Sequence, residues 1–303
     1  ILNQTFTDFE LIICDNASTD RTDEICREYA ARDERVRYYR NERNIGGIMN
    51  QNRVLELSRG EFFKLAAHDD ICAPEFLDQC VAALDANPDA VLAYPRTQII
   101  NEHGELFDSD EPYVKYTNAW LKLALSDRPA TRFREIACLP HSCHHIFGVM
   151  RMSAIGSISA WGAYAGSDRS LLARMSLLGR YVEVPECLFF LRRHSEQSIN
   201  ICKQSIYLYN VWYSTANKGK LVLPGWSMFF EYFHAMRTAP LSLAQRIDCY
   251  GQLLTAYLAV DGSRLVKDLV VATIQIGDRM LRRFKPKAES MDTLIFGRFP
   301  RLN

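Results

Sequence analysis

The first two-thirds of the chain alternate short apolar runs with amphipathic stretches. Phe9 to Cys14 is an apolar run after Asp8, the pattern of a strand buried on both faces. Asp15-Asn16-Ala17-Ser18-Thr19-Asp20 follows as a turn-and-cap cluster. Ile25, Cys26, Tyr29 and Ala30 then share one helical stripe, and Val36 to Tyr39 reads as a short strand. Asn44-Ile45-Gly46-Gly47 is a loop leading into a helix through Leu57. Glu61 to Ala67 is a further strand ending at His68-Asp69-Asp70. After Pro74, a helix places Phe76, Leu77, Cys80, Val81 and Leu84 on one face. Ala90 to Tyr94, Thr97 to Asn101 and Ile146 to Met150 read as strands, and Leu106 to Pro140 as partly helical. Ser167 opens a helix that Gly179 stops, and strands Tyr181 to Val184 and Cys187 to Arg193 follow.

Such alternation predicts a layered α/β fold with a mixed, mainly parallel sheet flanked by helices. From Ile206 to about Lys285 the period becomes helical, with interruptions expected at Pro224-Gly225, Pro240 and Gly262. The expected division is residues 1–205 as the α/β domain and 206–303 as a helical C-terminal region packed on it. That region carries an aromatic stretch (Trp226, Phe229, Phe230, Tyr232, Phe233) and a basic one from Arg279 to Lys287. A surface that docks on a membrane is the alternative reading of this pair.

Composition adds exclusions. Lys and Arg number 36 and so do Asp and Glu, so there is no basic excess for nucleic acid. The nine Cys form no CxxC pairs, and Cys26, Cys80 and Cys138 stand among apolar neighbours, which favours buried thiols over disulfides. No apolar run reaches the length of a bilayer span and no signal peptide is evident, so a cytoplasmic location is expected, with peripheral contact on the inner membrane face as its variant.

In open α/β sheets ligands bind at the carboxyl ends of strands. Asp15 and the Asp69-Asp70 pair fall at two such ends, where carboxylates hydrogen-bond a ribose or hold a hard divalent ion against phosphates. Taken singly, Asp15 reads equally as an Asx turn and Asp70 as a helix cap. The Asn44–Gly47 loop offers backbone N–H groups to a phosphate or sugar oxygen. Asp168 begins a helix, so it reads as a cap or as a general base held at a helix start. His194, in Arg192-Arg193-His194-Ser195-Glu196-Gln197-Ser198, brings a metal-competent imidazole beside two phosphate-binding guanidiniums. His141, His144 and His145 match no zinc spacing.

In order, these segments resemble family-2 glycosyltransferases over about residues 1 to 200. Asp8 to Asp20 resembles the second strand and nucleotide-binding turn, and Asn44 to Gly47 the asparagine-glycine loop. Phe62 to Pro74 resembles the strand with the DxD-type metal motif, Ser167-Asp168 the catalytic-base motif, and Arg192 to Ser198 the segment closing over the diphosphate. The resemblance implies a GT-A fold and an inverting transfer from a nucleotide-diphospho-sugar to a hydroxyl of a glycan or lipid-linked acceptor, in polysaccharide or cell-surface glycan synthesis.

It also implies roles. Asp15, with Asn16 and Ser18, would contact the nucleotide, and Asn44, Gly46 and Gly47 the donor. Asp69 would hold Mn²⁺ or Mg²⁺ with support from Asp70. His194 would reach the metal or diphosphate, Arg192 would meet the diphosphate, and Asp168 would take the acceptor proton.

Two departures stand out. The first DxD position is Ala67, so its ribose contact passes to His68 or is lost. The family also begins with a strand and helix, whereas Ile1-Leu2-Asn3-Gln4-Thr5 reads as the end of that helix. A chain lacking this internal strand is expected to leave neighbouring strands unpaired and to show little activity. A non-catalytic nucleotide-sugar binder and a sugar-nucleotidyltransferase are the competing functions.

Overall fold

Two parallel strands open the structure, β1 (Leu11–Asp15) and β2 (Val36–Arg40), joined through helix α1 (Thr22–Arg32). The computed structural model describes residues 1–107, 124–158, 161–197, 200 and 206–284. Part of the Leu106–Pro140 segment, Ser198 and the end of the basic run therefore lie outside the described residues. Helix α2 (Gly47–Leu57) leads to β3 (Phe62–Lys64) and β4 (Ile71–Cys72), and α3 (Phe76–Asp85) leads to β5 (Ala90–Ile100). Then come α4 (Pro129–Cys138), a 3₁₀ turn (His144–Phe147), β6 (Val149–Arg151) and α5 (Met152–Ile155). Helix α6 (Ser167–Leu178) and β7 (Arg180–Arg192) complete the α/β part.

The second sheet has the order β3-β6-β5-β7-β4. It is mixed, as expected, but not mainly parallel: β5 and β7 run parallel, and the other pairings are antiparallel. Because β6 is antiparallel to both β3 and β5, strands β3, β5 and β7 all point the same way. Their carboxyl ends therefore share one edge of the sheet. Among the described residues β1 pairs only with β2, and β3 only with β6.

Apolar packing covers both faces of this sheet. On one, α3 buries Phe76, Leu77, Cys80 and Leu84 against Val184, Phe189 and Leu191 of β7. On the other, Leu92 and Tyr94 of β5 pack with Phe133 and Ile136 of α4 and with Leu171, Leu172 and Met175 of α6. The latter core runs without a break into residues beyond 205. Helices α7 (Ile206–Tyr213), α8 (Pro224–Thr238) and α9 (Leu243–Gln252) contribute Tyr213, Met228, Tyr232, Met236 and Cys249 to it. A π turn (Leu253–Tyr257) joins α9 to α10 (Leu258–Phe284).

Several boundaries differ from the sequence expectation. The strand at Glu61–Ala67 is limited to Phe62–Lys64, and residues 65–70 form an irregular turn before the short β4. The two strands expected on either side of Pro95 are one, since local register shifts accommodate the proline. Likewise β7 runs through Pro185, where the pairing register skips from Val184 to Cys187. On α1 only Cys26 is buried, while Ile25 and Tyr29 are exposed. Gly262 does not interrupt its helix. Cys26, Cys80 and Cys138 are buried free thiols.

A polar network fixes α6 to the C-terminal helices. Glu231 of α8 accepts hydrogen bonds from Tyr164 and, at 2.6 Å, from Ser170, and its carboxylate lies 3.5 Å from Arg174, whose side chain is almost fully buried. Glu231→Ala removes a carboxylate that faces a buried cation and accepts from Tyr164 and Ser170, so it is expected to cost about 3 kcal/mol in urea unfolding. Glu231→Gln, which keeps an acceptor for Tyr164 and Ser170, should cost less.

Candidate functional site

The carboxyl ends of β3, β5 and β7 meet around one arginine. Arg192, the last residue of β7, donates from Nε to the Asp69 carbonyl (2.8 Å) and from a terminal nitrogen to the carbonyls of Asn101 (3.2 Å) and Glu102 (2.8 Å). Its own amide donates to Asp70 Oδ1 at 2.9 Å. Through these bonds Arg192 clamps the 68–70 turn to the ends of β5 and β7. An arginine on a strand end can satisfy several carbonyls of the turns beside it at once.

The clamp brings His194 and Asp69 together, Nε2 to Oδ2 at 3.0 Å, with each side chain about one-fifth exposed. Asp70 is more enclosed. Burial pushes its carboxyl up to about 6, with Asp69 adding to the rise, while the Arg192 amide, Lys64 and Arg193 oppose it. Lys64 is a residue the sequence reading passed over. Its ammonium lies over the rings of Phe76 (4.5 Å) and Phe189 (5.6 Å). Together with Asp70 and Cys72 it lines a cavity of about 230 Å³. His68 is exposed at the rim of the turn.

Asp69 and His194 offer a carboxylate, which suits Mn²⁺ or Mg²⁺, and an imidazole, which suits Mn²⁺ better than Mg²⁺. Among the described residues no three acidic, histidine or cysteine side chains stand arranged around a common ion position. His141, His144 and His145 serve the fold. His141 accepts the Cys143 amide on Nδ1 (3.1 Å), which makes Nε2 the donor to the Ile136 carbonyl (2.8 Å). Burial pushes His141 and His144 down to about 3, so both are neutral at physiological pH.

A second group forms around β1. Asp15 is buried and accepts the Ser18 amide (2.8 Å), the Tyr38 hydroxyl (3.0 Å) and the Arg40 guanidinium. Burial acts to raise its carboxyl, but Ser18, Tyr38 and Arg40 outweigh burial and hold it below the usual range. Asp15 thus closes the turn as well as marking the strand end. Ala17 within that turn is left-handed (φ 63°), a conformation that costs an alanine energy. Asn16 bridges outward: its Oδ1 accepts from Asn41 (2.9 Å) and from the Ile45 amide (3.0 Å), and its Nδ2 donates to Asn44 (3.0 Å).

In the Asn44–Gly47 loop, two expected N–H donors are engaged internally, Ile45 with Asn16 and Gly46 with Asn44 Oδ1 (2.9 Å). That corrects the open anion cradle read from the glycines. Their physical reason is close approach. Gly46 has φ 98°, and a Cβ there would stand 2.5 Å from the Ser214 backbone; a Cβ on Gly47 would stand 2.8 Å from the Trp212 ring. The loop is packed beneath the end of α7.

The same end of α7 touches the start of α6. Tyr213 Oη accepts the Gly166 amide at 3.4 Å, and Gly166 (φ 96°) is the residue that opens the helix carrying Asp168. No side chain caps α6. Asp168 is half-buried, and burial alone pushes its carboxyl up to about 6. Arg169 beside it is turned away, donating to the carbonyls of Leu139 (3.0 Å) and His141 (3.2 Å). The sequence-derived residues therefore fall into two groups. Asp69, Asp70, Arg192 and His194 gather at the ends of β3, β5 and β7. Asp15, Asn16, Ser18, Asn44, Gly46 and Gly47 gather around β1 and α7, with Asp168 reached through Tyr213.

A mixed sheet between helical layers, with acidic side chains at its carboxyl edge, defines a protein of the GT-A type. The chain belongs to glycosyl transferase family 2, whose profile matches residues 1–156. Among its relatives is an uncharacterized glycosyltransferase of Methanocaldococcus jannaschii, 31% identical over 113 residues, which is 37% of this chain and 39% of that protein. Escherichia coli chondroitin synthase is 30% identical over 124 residues, covering 41% of this chain and 18% of the synthase. The matched stretch thus spans well under half of either relative. Among solved structures, S. aureus TarS in complex with UDP-GlcNAc superposes with a TM-score of 0.58 at 15% identity, covering 88% of this chain and 73% of that one. TarS in complex with UDP gives 0.56 at 16% identity, over 86% of this chain and 65% of that one. At these identities the likeness establishes the fold.

Proposed function

We propose that this protein transfers a sugar from a nucleotide-diphospho-sugar to a hydroxyl of a glycan or lipid-linked acceptor, with inversion at the anomeric carbon. The observation that carries the reading is the pairing of Asp69 with His194 at the shared carboxyl edge of β3, β5 and β7. Family membership supports the reaction class, and the UDP and UDP-GlcNAc complexes of TarS favour a uridine diphosphate donor for this chain.

In this reading Asp69 and His194 hold Mn²⁺ or Mg²⁺, with Asp70 in support. That ion, when bound, supplies positive charge to the departing diphosphate. Asp15, Asn16 and Ser18 shape the nucleotide side, and Asn44, Gly46, Gly47 and His68 border the donor. Arg192 acts as a positioning residue that keeps the 68–70 turn in place. Asp168 accepts the proton of the acceptor hydroxyl, and the resulting oxygen nucleophile attacks the anomeric carbon as the bond to the diphosphate breaks. A single base opposite the leaving group is enough for inversion.

The α/β part through about residue 205 carries this chemistry, and residues 206–303 cover and brace it. No helix among the described residues is long and apolar enough to cross a membrane. Work at the cytoplasmic face of an envelope, on a polysaccharide or lipid-linked glycan, fits the reading.

The test is a screen of UDP-, GDP- and dTDP-sugars for binding and turnover with Mn²⁺, then with the metal chelated. Binding of a UDP-sugar that is weakened by chelation is expected, with release of the nucleoside diphosphate. Binding without turnover would favour a non-catalytic subunit. Release of pyrophosphate from a nucleoside triphosphate and a sugar 1-phosphate, in a parallel assay, would instead indicate a nucleotidyltransferase.

A further inference from the structure

The C-terminal helices expose a long apolar stripe that the transfer reading does not use. From Leu243 to Phe284 the chain is one unbroken helix, interrupted in its hydrogen bonding only by the π turn at Leu253–Tyr257. It begins with a capping box, in which Ser242 Oγ accepts the Gln245 amide (3.2 Å) and Gln245 accepts the Ser242 amide (2.9 Å). Cys249, Leu253, Tyr257, Leu265 and Ala272 are buried, and Asp261 falls between Tyr257 and Leu265 on the same line. From Cys249 to Leu265 that line advances four residues at a time. In an ordinary α-helix each such step overshoots a turn by about 40°. The π turn widens one turn by about one residue, which takes back roughly 100° and keeps the buried line facing the core.

The correction has a second consequence. It aligns the exposed apolar residues of α9 with those of α10. Leu243, Ile247 and Leu254 before and at the turn, and Val266, Leu269 and Val270 after it, are 49–73% exposed. Met280 continues the line at 58%. From Leu243 to Met280 the stripe is about 55 Å long, far beyond the scattered apolar residues normal on a soluble surface.

Charge identifies the occupant. Residues 243–287 hold eight Lys and Arg against four Asp and no Glu, and Arg279 to Lys287 holds five basic residues and no acidic one. Three of the acids serve the fold, as does Arg246, which donates to the carbonyls of Met236, Ala239 and Leu241. Asp248 pairs with Arg128 (2.9 Å), Asp261 lies 3.7 Å from Arg264, and Asp268 accepts the amides of Gly225 (2.7 Å) and Trp226 (3.3 Å) at the start of α8. Pairing with a second copy would call for acidic partners along the flanks, and α9 and α10 supply none beyond those four.

We infer that α9 and α10 form an interfacial helix that lies in the surface of a membrane bearing anionic lipids, with its apolar stripe in the acyl boundary. The assay of this surface needs no sugar donor, so its outcome is separate from that of the transfer reading. The full chain is sedimented with vesicles of phosphatidylcholine, alone or with phosphatidylglycerol. Binding is expected only with the anionic lipid and should weaken as salt rises.

Val266→Asp with Leu269→Asp is expected to lower vesicle affinity on the order of tenfold or more, without shifting the melting temperature. Arg282→Gln with Arg283→Gln gives an independent arm that leaves the stripe intact, with a loss of similar size. Absence of binding to anionic vesicles would overturn the inference. So would equal binding to pure phosphatidylcholine, or a concentration-dependent dimer abolished by the Val266 and Leu269 substitutions.

Discussion

Asp168→Asn is expected to abolish sugar transfer while leaving donor affinity unchanged and raising thermal stability. The three effects share one cause. Asp168 stands in the first turn of α6, half-buried, and burial pushes its carboxyl up to about 6. A carboxylate with that affinity for protons is a far better base toward a sugar hydroxyl than an exposed one, and is still ionised at neutral pH. Losing a general base costs roughly 10²–10⁴ in rate. The substitution is nearly isosteric and leaves the Asp69–His194 pair untouched, so the nucleotide should still bind.

The pH dependence has a defined sign. The base acts only when ionised, so turnover should rise with pH through about 6 and then level off. Stability runs the other way. Below the ordinary aspartate value the group is protonated in both folded and unfolded chains and costs nothing. As pH rises from there through about 6, the unfolded chain ionises first, and that preference destabilises the fold. At neutral pH Asp168→Asn removes a cost on the order of 1–3 kcal/mol. A helix-capping role predicts the opposite, a loss of stability. The measurements are kcat and melting temperature of both proteins between pH 4 and 8 (values set by the window of about 4 to 6 in which the carboxyl titrates). A less stable or fully active Asn variant would remove Asp168 from the mechanism.

Asp69→Asn and His194→Ala form the second large prediction. Each should weaken Mn²⁺-dependent donor binding by at least about 10–100-fold, the loss common even for groups that only support a metal ligand. Each should leave metal-free nucleotide binding little changed. The two side chains share one contact, so the double variant should lose little more than either single one. Asp70→Asn is the internal control. Its amide oxygen still accepts the Arg192 N–H, so the turn should persist with a smaller effect on the donor. Titration calorimetry with Mn²⁺ and a UDP-sugar reads all four variants. Additive losses for Asp69 and His194 would mean that they do not serve one ion.

Much of this arrangement was legible along the chain. The Ser167–Leu178 helix and the Gly179 stop match the structure to the residue, because helical periodicity and a glycine break are local signals. The Asp15 turn was legible for the same reason, since Asx-type bonding reaches only a few residues onward. The clamp made by Arg192 was not legible. Its side chain answers to carbonyls at residues 69, 101 and 102, and nothing near position 192 announces them. The Asn44–Gly47 loop was half-read: its glycines signal close approach, but only the fold reveals that the neighbour is Trp212 and Ser214 of the chain itself. Lys64 and Glu231 gave no sequence signal. A lone lysine in a strand and a lone glutamate in an amphipathic helix look like ordinary surface positions.

By itself the sequence determined the alternation of strands and helices, the acidic residues at strand ends and the helical character of the last third. Those features follow from backbone preferences and apolar periods that act within a few residues. Only the tertiary structure decided that β3, β5 and β7 end at one edge, that Asp69 meets His194 across 125 positions, and that a π turn lines up two apolar stripes. Such outcomes depend on contacts between residues far apart in the chain. Burial then raises the proton affinity of Asp168, and burial is a property of the folded chain, not of the residue.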